Sequence, residues 1–537
     1  MPAPNPCSRT LGRLRALALA TVLALGGCAA SGETRHGTDT LVALTRTDGA
    51  TMNPMYATTV QDGSIYDALL FDGLSYVGAD YLPHPRLATS WSHSPDGKHW
   101  TVDLRRDVKW SDGVPFTSKD VVFSYNLYLN PKTGFLDIGT IKNVRRVYAE
   151  GPYRVHFDIA FPNAVFTLNV LGEYIIPEHV LGKIPPDRQR FSTFGEHPIG
   201  TGPYVLKSWQ HDSEVVFERN PYAYRPPKIA RIDFRIIFND QAELEALANG
   251  SADLIDDLSH TQYVQLARIA PNIKLVTFAP LYVDVIELNL AHAGLSDVGV
   301  RQAMMYGYDR VAIAHGLFDD KVPVPDSLIV ASLSHWYDPN VQKYPYDPDK
   351  ARALLDAAGW KVGPDGVRSK KGTRLSFELL LNQGSALLTD EMLTFIADMR
   401  DVGIDINLRL TDFASLSART FTGKYDIVAD ARGGFVDPDL TSLFASDQIP
   451  PNGANTTHYQ DARVDRDLRL GLVTLDDAKR RAIYDDMQVE LMKTVPIMPQ
   501  VGRFAATGYS PRLYFDPKAM LQSPLGYYNV EDWKFVQ

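Results

Sequence analysis

The sequence predicts an α/β fold divided into at least two lobes. Three observations carry that reading. The chain has 537 residues, more than one compact hydrophobic core ordinarily encloses. Helical and strand patterns alternate through most of it, which favours α/β architecture. From Leu375 to Leu410 the pattern reads strand, helix, strand, the βαβ rhythm of a parallel sheet with ligand sites at the carboxyl ends of its strands. Composition is that of an ordinary globular protein, 45% hydrophobic and 22% charged, with a net charge of −10. The acidic balance argues against a nucleic-acid partner, which rewards clustered Lys and Arg.

The first segment stands outside the fold. Arg9, Arg13 and Arg15 precede the apolar run Ala16 to Leu25. That run is too short to cross a bilayer as a stable helix and reads as an export signal. It ends in Leu25-Gly26-Gly27-Cys28, which resembles the bacterial lipobox, where the cysteine is diacylated and becomes the first residue after cleavage. The expectation is a lipoprotein signal peptide over 1–27, lipidation of Cys28, and a small, polar tether over 28–38. Cys7, the other of the two cysteines, lies in the segment to be removed. The mature chain is therefore expected to hold no internal disulfide and to rely on a large core.

Beyond the tether, Thr40 to Leu44 starts an apolar strand. Asp96-Gly97 reads as a hairpin turn before the alternating strand Trp100 to Leu104, and Asp107 to Gly113 as a turn-rich link. Thr117-Ser118-Lys119-Asp120 caps a helix that Asn130-Pro131 stops. Gly200-Thr201-Gly202-Pro203 turns into the strand Tyr204 to Lys207; Pro203 removes a backbone donor that a phosphate loop would need. Asp347-Pro348 opens a helix with proline in its first turn, and Gly359 follows its end. Met392, Phe395, Ile396 and Met399 recur at helical spacing, Gly403 ends that helix, and Ile404, Ile406, Leu408 and Leu410 alternate as a strand.

Catalytic signatures are missing. The sequence has no G-x-S-x-G elbow, no H-E-x-x-H, no phosphate loop and no C-x-x-C, the motifs that mark common nucleophile, zinc and nucleotide chemistry. His84, His93 and His99 lie around a turn and an alternating strand and read as surface or turn residues. Asp256-Asp257 and Asp319-Asp320 read as solvated ends or loops. An anchored hydrolase would need two carboxylates facing across a cleft, and no such pairing is recognisable. The reading is a binding protein, not an enzyme, with no cofactor and no metal site.

Several segments together resemble the peptide/nickel class of extracellular solute-binding proteins, the oligopeptide- and dipeptide-binding family. They are Leu82 to Ser124, Ile199 to Trp209 with Arg219-Asn220-Pro221-Tyr222, Asp297 to Arg310, Tyr346 to Trp360, and Gly403 to Leu410. Their order and spacing carry the likeness over essentially all of the chain after Asp39. Taken alone, most of these residues have structural roles: Trp91, Trp100 and Trp110 as core aromatics, Arg301 and Asp309-Arg310 as pins for a helix. The resemblance implies a two-lobed periplasmic-binding-protein-like clamp of class II with an extra α/β subdomain in the first lobe. Lobe I would span 39–284 plus 508–537, with the extra subdomain at about 76–195, and lobe II 285–507. Crossing strands near Tyr282 to Leu290 and near Gly502 to Ser510 would form the hinge. It implies an ABC importer component, a monomer outside the cytoplasm whose closed form the permease subunits read. A ligand sensor on the same scaffold stays open at this stage.

The expected cleft residues are Tyr282, Asn382, Asp430, Arg432 and Phe435. Tyr282 lies where the chain changes lobes, Asn382 ends a strand, and Gly433-Gly434 lets a backbone come close to a ligand. Peptide binders of this class resemble one another in a segment Trp-x-x-Asp-x-x-Asp/Glu-Pro, whose first carboxylate receives the ligand's α-ammonium group. Anchored on Asp437-Pro438, those positions are Ala431 and Gly434 here. The departure favours a ligand other than an ordinary free-amine peptide. Arg432, if unpaired, would take a carboxylate or phosphate; Asp430, on the same strand face, could instead replace the missing acid or pair with Arg432.

Overall fold

The computed structural model describes residues 39–59, 61–384, 386–516, 518–519 and 525–536. The expected signal peptide, Cys28 and the tether lie outside the described residues. Strand β1 (Thr40–Thr45) is buried at its four central positions, as a strand covered on both faces must be. The chain then builds the extra subdomain from β2 (Ala88–His93), β3 (His99–Leu104), β4 (Val144–Ala149) and β5 (Arg154–Ile159), an antiparallel sheet in the order β2-β3-β5-β4. Asp96-Gly97 makes the β2–β3 turn, with Gly97 at φ 68°. Helix α1 (Ser118–Tyr128) packs on this sheet and starts at a capping box of Thr117 with Asp120. Trp100 and Trp110 are buried in the first core, while Trp91 is half-buried against it.

The chain returns through β6 (Tyr204–Gln210), β7 (Glu214–Arg219), β8 (Arg231–Ile236), β9 (Leu254–Leu258) and β10 (Lys274–Thr277). It then crosses into a second sheet of β11 (Tyr282–Leu288), β12 (Ser376–Asn382), β13 (Asp405–Thr411), β14 (Ile427–Gly433) and β15 (Ile497–Gly502), ordered β13-β12-β14-β11-β15. Finally β16 (Ala506–Tyr509) rejoins the first, seven-stranded sheet, ordered β10-β16-β9-β1-β8-β7-β6. The changes of sheet occupy only 278–281 and 503–505. Tyr282 to Leu288, expected as a crossing strand, is a full member of the second sheet. The expected boundaries at 284 and 508 therefore fall inside β11 and β16, because hydrogen-bonded partners, not sequence, decide where a strand belongs.

The second lobe continues with α2 (Val298–Tyr306) and α3 (Arg310–Phe318), whose bounds the sequence pattern leaves open. They are joined by α4 (Pro348–Ala357) and α5 (Ala386–Asp401), which sit where the sequence places them. Two arginines pin this layer. Arg301 is buried and donates to the carbonyls of Leu295, Thr494 and Val495. Its charge thereby meets the carboxyl end of α7 (Asp477–Thr494), the favourable end for a cation. Arg310, also buried, donates to Pro325, Tyr344 and Pro499.

Candidate functional site

Strand direction locates the cleft. β1 is parallel to β8 and β9, and β16 is antiparallel to both β9 and β10. The carboxyl ends of β1, β8, β9 and β10 therefore share one edge, from which the chain leaves for β11. In the second sheet β12, β13 and β14 run parallel and β11 runs against them, so their carboxyl ends lie beside Tyr282 at the start of β11. Two sheets thus present their carboxyl edges to each other, where α/β proteins gather ligands. The crossings are tied together: the Phe278 N–H donates to the Ala505 carbonyl at 3.1 Å and the Arg503 N–H to that of Tyr282 at 2.8 Å.

The five expected residues lie along the second lobe's edge and are half-buried. Tyr282 pairs with Gly433 across β11–β14, and Tyr282 and Phe435 pack against the same hydrophobic cluster. Asn382 and Asp430 each stand two residues beyond the last paired residues of β12 and β14, Leu380 and Val428, so they share a level on neighbouring strands. Of the two alternatives for Arg432, unpaired or paired with Asp430, the structure shows the pair, and adds Glu287. Its guanidinium meets Asp430 at 2.7 Å and Glu287 at 2.5 Å. Glu287 is fully buried, and a carboxylate there needs a counter-charge. Gly433 and Gly434 also serve a different end. A Cβ on either would strike the Leu281 carbonyl or the Tyr282 ring, so these glycines let the backbone come close to the crossing segment. Asp437 is held by Arg480 through two contacts of 2.7 Å.

None of these five residues lines the cavity of about 500 Å³ in the first lobe. Pro54 and Ala57, on the loop that leaves the carboxyl end of β1, form one side of it, and Asp67, Phe71, Tyr76, Glu173, Tyr174 and Tyr528 form others. Leu168 lines both this cavity and a smaller one of about 140 Å³ between the lobes, bounded by Tyr81 on one side and Trp336, Asp437 and Arg480 on the other. The larger cavity therefore lies on the face turned to the second lobe. Within it Asp72, buried, meets Arg86 at 3.0 Å, and Arg86 also meets Glu531 at 3.2 Å and the Tyr528 carbonyl. Burial pushes the Asp72 carboxyl above its ordinary value despite that partner. The Glu173 carboxylate accepts from the Thr140 hydroxyl at 2.6 Å. Burial raises it to about 7, with Asp137 adding to the rise.

The family described as bacterial extracellular solute-binding proteins, family 5 Middle, matches residues 83–449. This chain belongs to that family. Oligopeptide-binding protein AppA of Bacillus subtilis is 26% identical over 475 residues, covering 87% of this chain and 86% of that protein. The nickel-binding periplasmic protein of Escherichia coli is 28% identical over 445 residues, covering 80% of this chain and 83% of its own. The crystal structure of NikZ from Campylobacter jejuni in complex with Ni(L-His) matches with a TM-score of 0.77 at 26% identity, over 93% of this chain and all of that one. The two-lobed α/β clamp is thus the fold of this family 5 solute-binding protein. Among the described residues no helix is long and apolar enough to cross a membrane.

Sequence reasoning missed the first-lobe wall of the site. Arg86 lies inside the Leu82–Ser124 motif, but its partners are Asp72 and Glu531, the latter from the far end of the chain. Glu173-Tyr174 sits beside the short helical turn Phe166–Val170, with no periodicity to single it out. A lone acid in an apolar stretch, Leu171-Gly172-Glu173-Tyr174-Ile175, was the available signal.

Proposed function

We propose that this chain is the solute-capturing subunit of an ABC importer, anchored by lipid on Cys28, and that it closes its lobes on a small peptide or peptide-like solute. The observation that carries this reading is the first-lobe cavity facing the strand ends of a second lobe joined by two short crossings, in a chain of the solute-binding family. Such a clamp closes because the ligand has greater affinity for the closed state, and closure is what permease subunits would read. Tyr282, Asn382, Asp430, Arg432 and Phe435 form the second-lobe side, and Pro54 and Ala57 with Tyr76 and Glu173 the first. Lobe I comprises 39–284 and 508–537, adjusted to the crossings, with the extra subdomain at 76–195, and lobe II the segment between. A second reading, a non-peptide solute such as an opine, an oligosaccharide, an anionic conjugate or a metal chelate, draws support from Ala431 and Gly434, which stand where the resemblance to peptide binders implies an aromatic and an ammonium-binding acid.

A thermal-shift screen of peptides, opines, oligosaccharides and metal chelates tests the binding reading. A ligand at a hundred times its dissociation constant should stabilise the fold by about 2.7 kcal/mol, without being consumed. Chemical turnover of a hit by the purified protein would end the binding-only reading. For the anchor, Cys28→Ser should release the protein from the membrane fraction or leave it unprocessed. Normal processing with full membrane retention in that variant would refute lipidation.

A further inference from the structure

Resting on the reading that the first-lobe cavity holds the solute, we propose that the solute is an organic cation whose ammonium or guanidinium group sits against Glu173. The cavity is lined by four acids, Asp67, Asp72, Asp137 and Glu173, and by one base, Arg86. That base is already occupied. It meets Asp72 and Glu531, donates to the Tyr528 carbonyl, and lies 4.7 Å from the centre of the Tyr76 ring. An anionic ligand would have to displace one of these carboxylates, which would leave a buried acid without its counter-charge.

Glu173 has the opposite deficit. Its carboxylate takes a hydrogen bond from a neutral hydroxyl, that of Thr140, and the charge that acts on it is another acid, Asp137. A half-buried carboxylate beside a like charge gains most from an incoming cation, because attraction strengthens as water is excluded. The cavity wall supplies Phe71 and Tyr174 as well as polar groups, and aromatic faces attract organic cations.

The second lobe points the same way through a separate set of contacts. Arg432 stands between Asp430 and Glu287, two acids to one base, so this edge is also electronegative. Gly434, where the resemblance to peptide binders implies an acid for an ammonium group, carries no charge. The first lobe therefore supplies the missing counter-charge, from Glu173.

Isothermal titration of the full mature chain with spermidine, agmatine, the tripeptides Ala-Lys-Ala and Ala-Glu-Ala, glutarate and nickel chloride tests this. At least one of spermidine, agmatine and Ala-Lys-Ala should bind, and more tightly than Ala-Glu-Ala or glutarate. Glu173→Gln should weaken that cation at least tenfold, while the unliganded variant melts at the same temperature or higher, since the desolvated carboxylate and its repulsion from Asp137 are removed. Asp137→Asn, a milder change on the cavity rim, should weaken it a few-fold, and Glu245→Gln, on an exposed helix, should leave it unchanged. Tighter binding of an anionic probe, binding of nickel chloride alone, or a cation bound within twofold by Glu173→Gln would overturn the cation assignment and leave solute binding intact. Failure of every probe also overturns the assignment; if the wider ligand screen finds nothing either, the binding reading itself falls.

Discussion

Arg432 lies between Asp430 and Glu287, and Glu287 is shielded from water on every side. Glu287 also accepts from the Thr456 hydroxyl at 2.8 Å, which satisfies one oxygen but not the charge. At the scale of the residue, this makes Arg432 a structural counter-ion as much as a feature of the cleft edge. Removing one partner of a buried ion pair costs more than the pair is worth, because the other charge is stranded. Arg432→Ala should therefore destabilise the fold by about 3 kcal/mol or more, measured by urea denaturation. The double variant Arg432→Ala with Glu287→Gln should recover much of that loss. A single-variant cost under about 1 kcal/mol would show that the hydrogen bond from the Thr456 hydroxyl is enough to hold Glu287 without a counter-charge. The alternation that put Asp430 and Arg432 on one strand face was legible in sequence. Glu287 was not, because β11 and β14 are neighbours only through the sheet order.

At the scale of elements, the lobes touch at several places besides the crossings, one of them at the extra subdomain. The loop between α6 (Ala462–Val473) and α7 reaches the extra subdomain. The Ala164 N–H donates to the Leu472 carbonyl at 2.8 Å, and Leu475 packs against the first core beside Gly97 and Pro162. This contact is small, so it suits a latch that opens and closes with the lobes. Leu475→Ala should leave overall stability within about 2 kcal/mol, since the side chain is only half-buried. It should raise hydrogen exchange at the Ala164 amide at least tenfold. Unchanged protection at Ala164 would mean the loop does not hold the lobes. The turn at Asp96-Gly97 was readable from the sequence because a left-handed glycine marks a hairpin. That Leu475 caps this turn was not, since the two are brought together by lobe placement alone.

At the scale of the whole molecule, burial raises many carboxyls, and most strongly Asp284 to about 6, Glu173 and Glu243 to about 7, and Glu391 to about 8. After burial itself, Asp430 adds to the rise at Asp284 on β11 and Asp284 to that at Glu391 on α5, with Arg503 of the second crossing opposing both. An acid whose value is raised on folding holds its proton in the native state after the unfolded chain has released it. Stability then falls as pH increases from the unfolded value to the folded one. Acids held below their ordinary value, such as Glu378 beside Arg419 and Arg409, act at lower pH and do not offset this. The melting temperature should decline from pH 5 to pH 8, and Glu391→Gln should make the decline shallower. A flat or rising profile in the parent chain would contradict the buried-acid account.

The sequence by itself determined the alternation of helices and strands, the helix caps at Thr117 and Asp347, the turn at Gly97 and membership of the solute-binding family. These are local or order-dependent properties: periodicity, capping and motif succession survive in one dimension. Only the tertiary structure decided that β11 belongs wholly to the second sheet, that Arg432 is neutralised by Glu287, and that acids of the first lobe line the cavity. Each depends on which distant segments become neighbours. A charged side chain takes its role from the charges and water around it, and those are set by packing that the linear order does not contain.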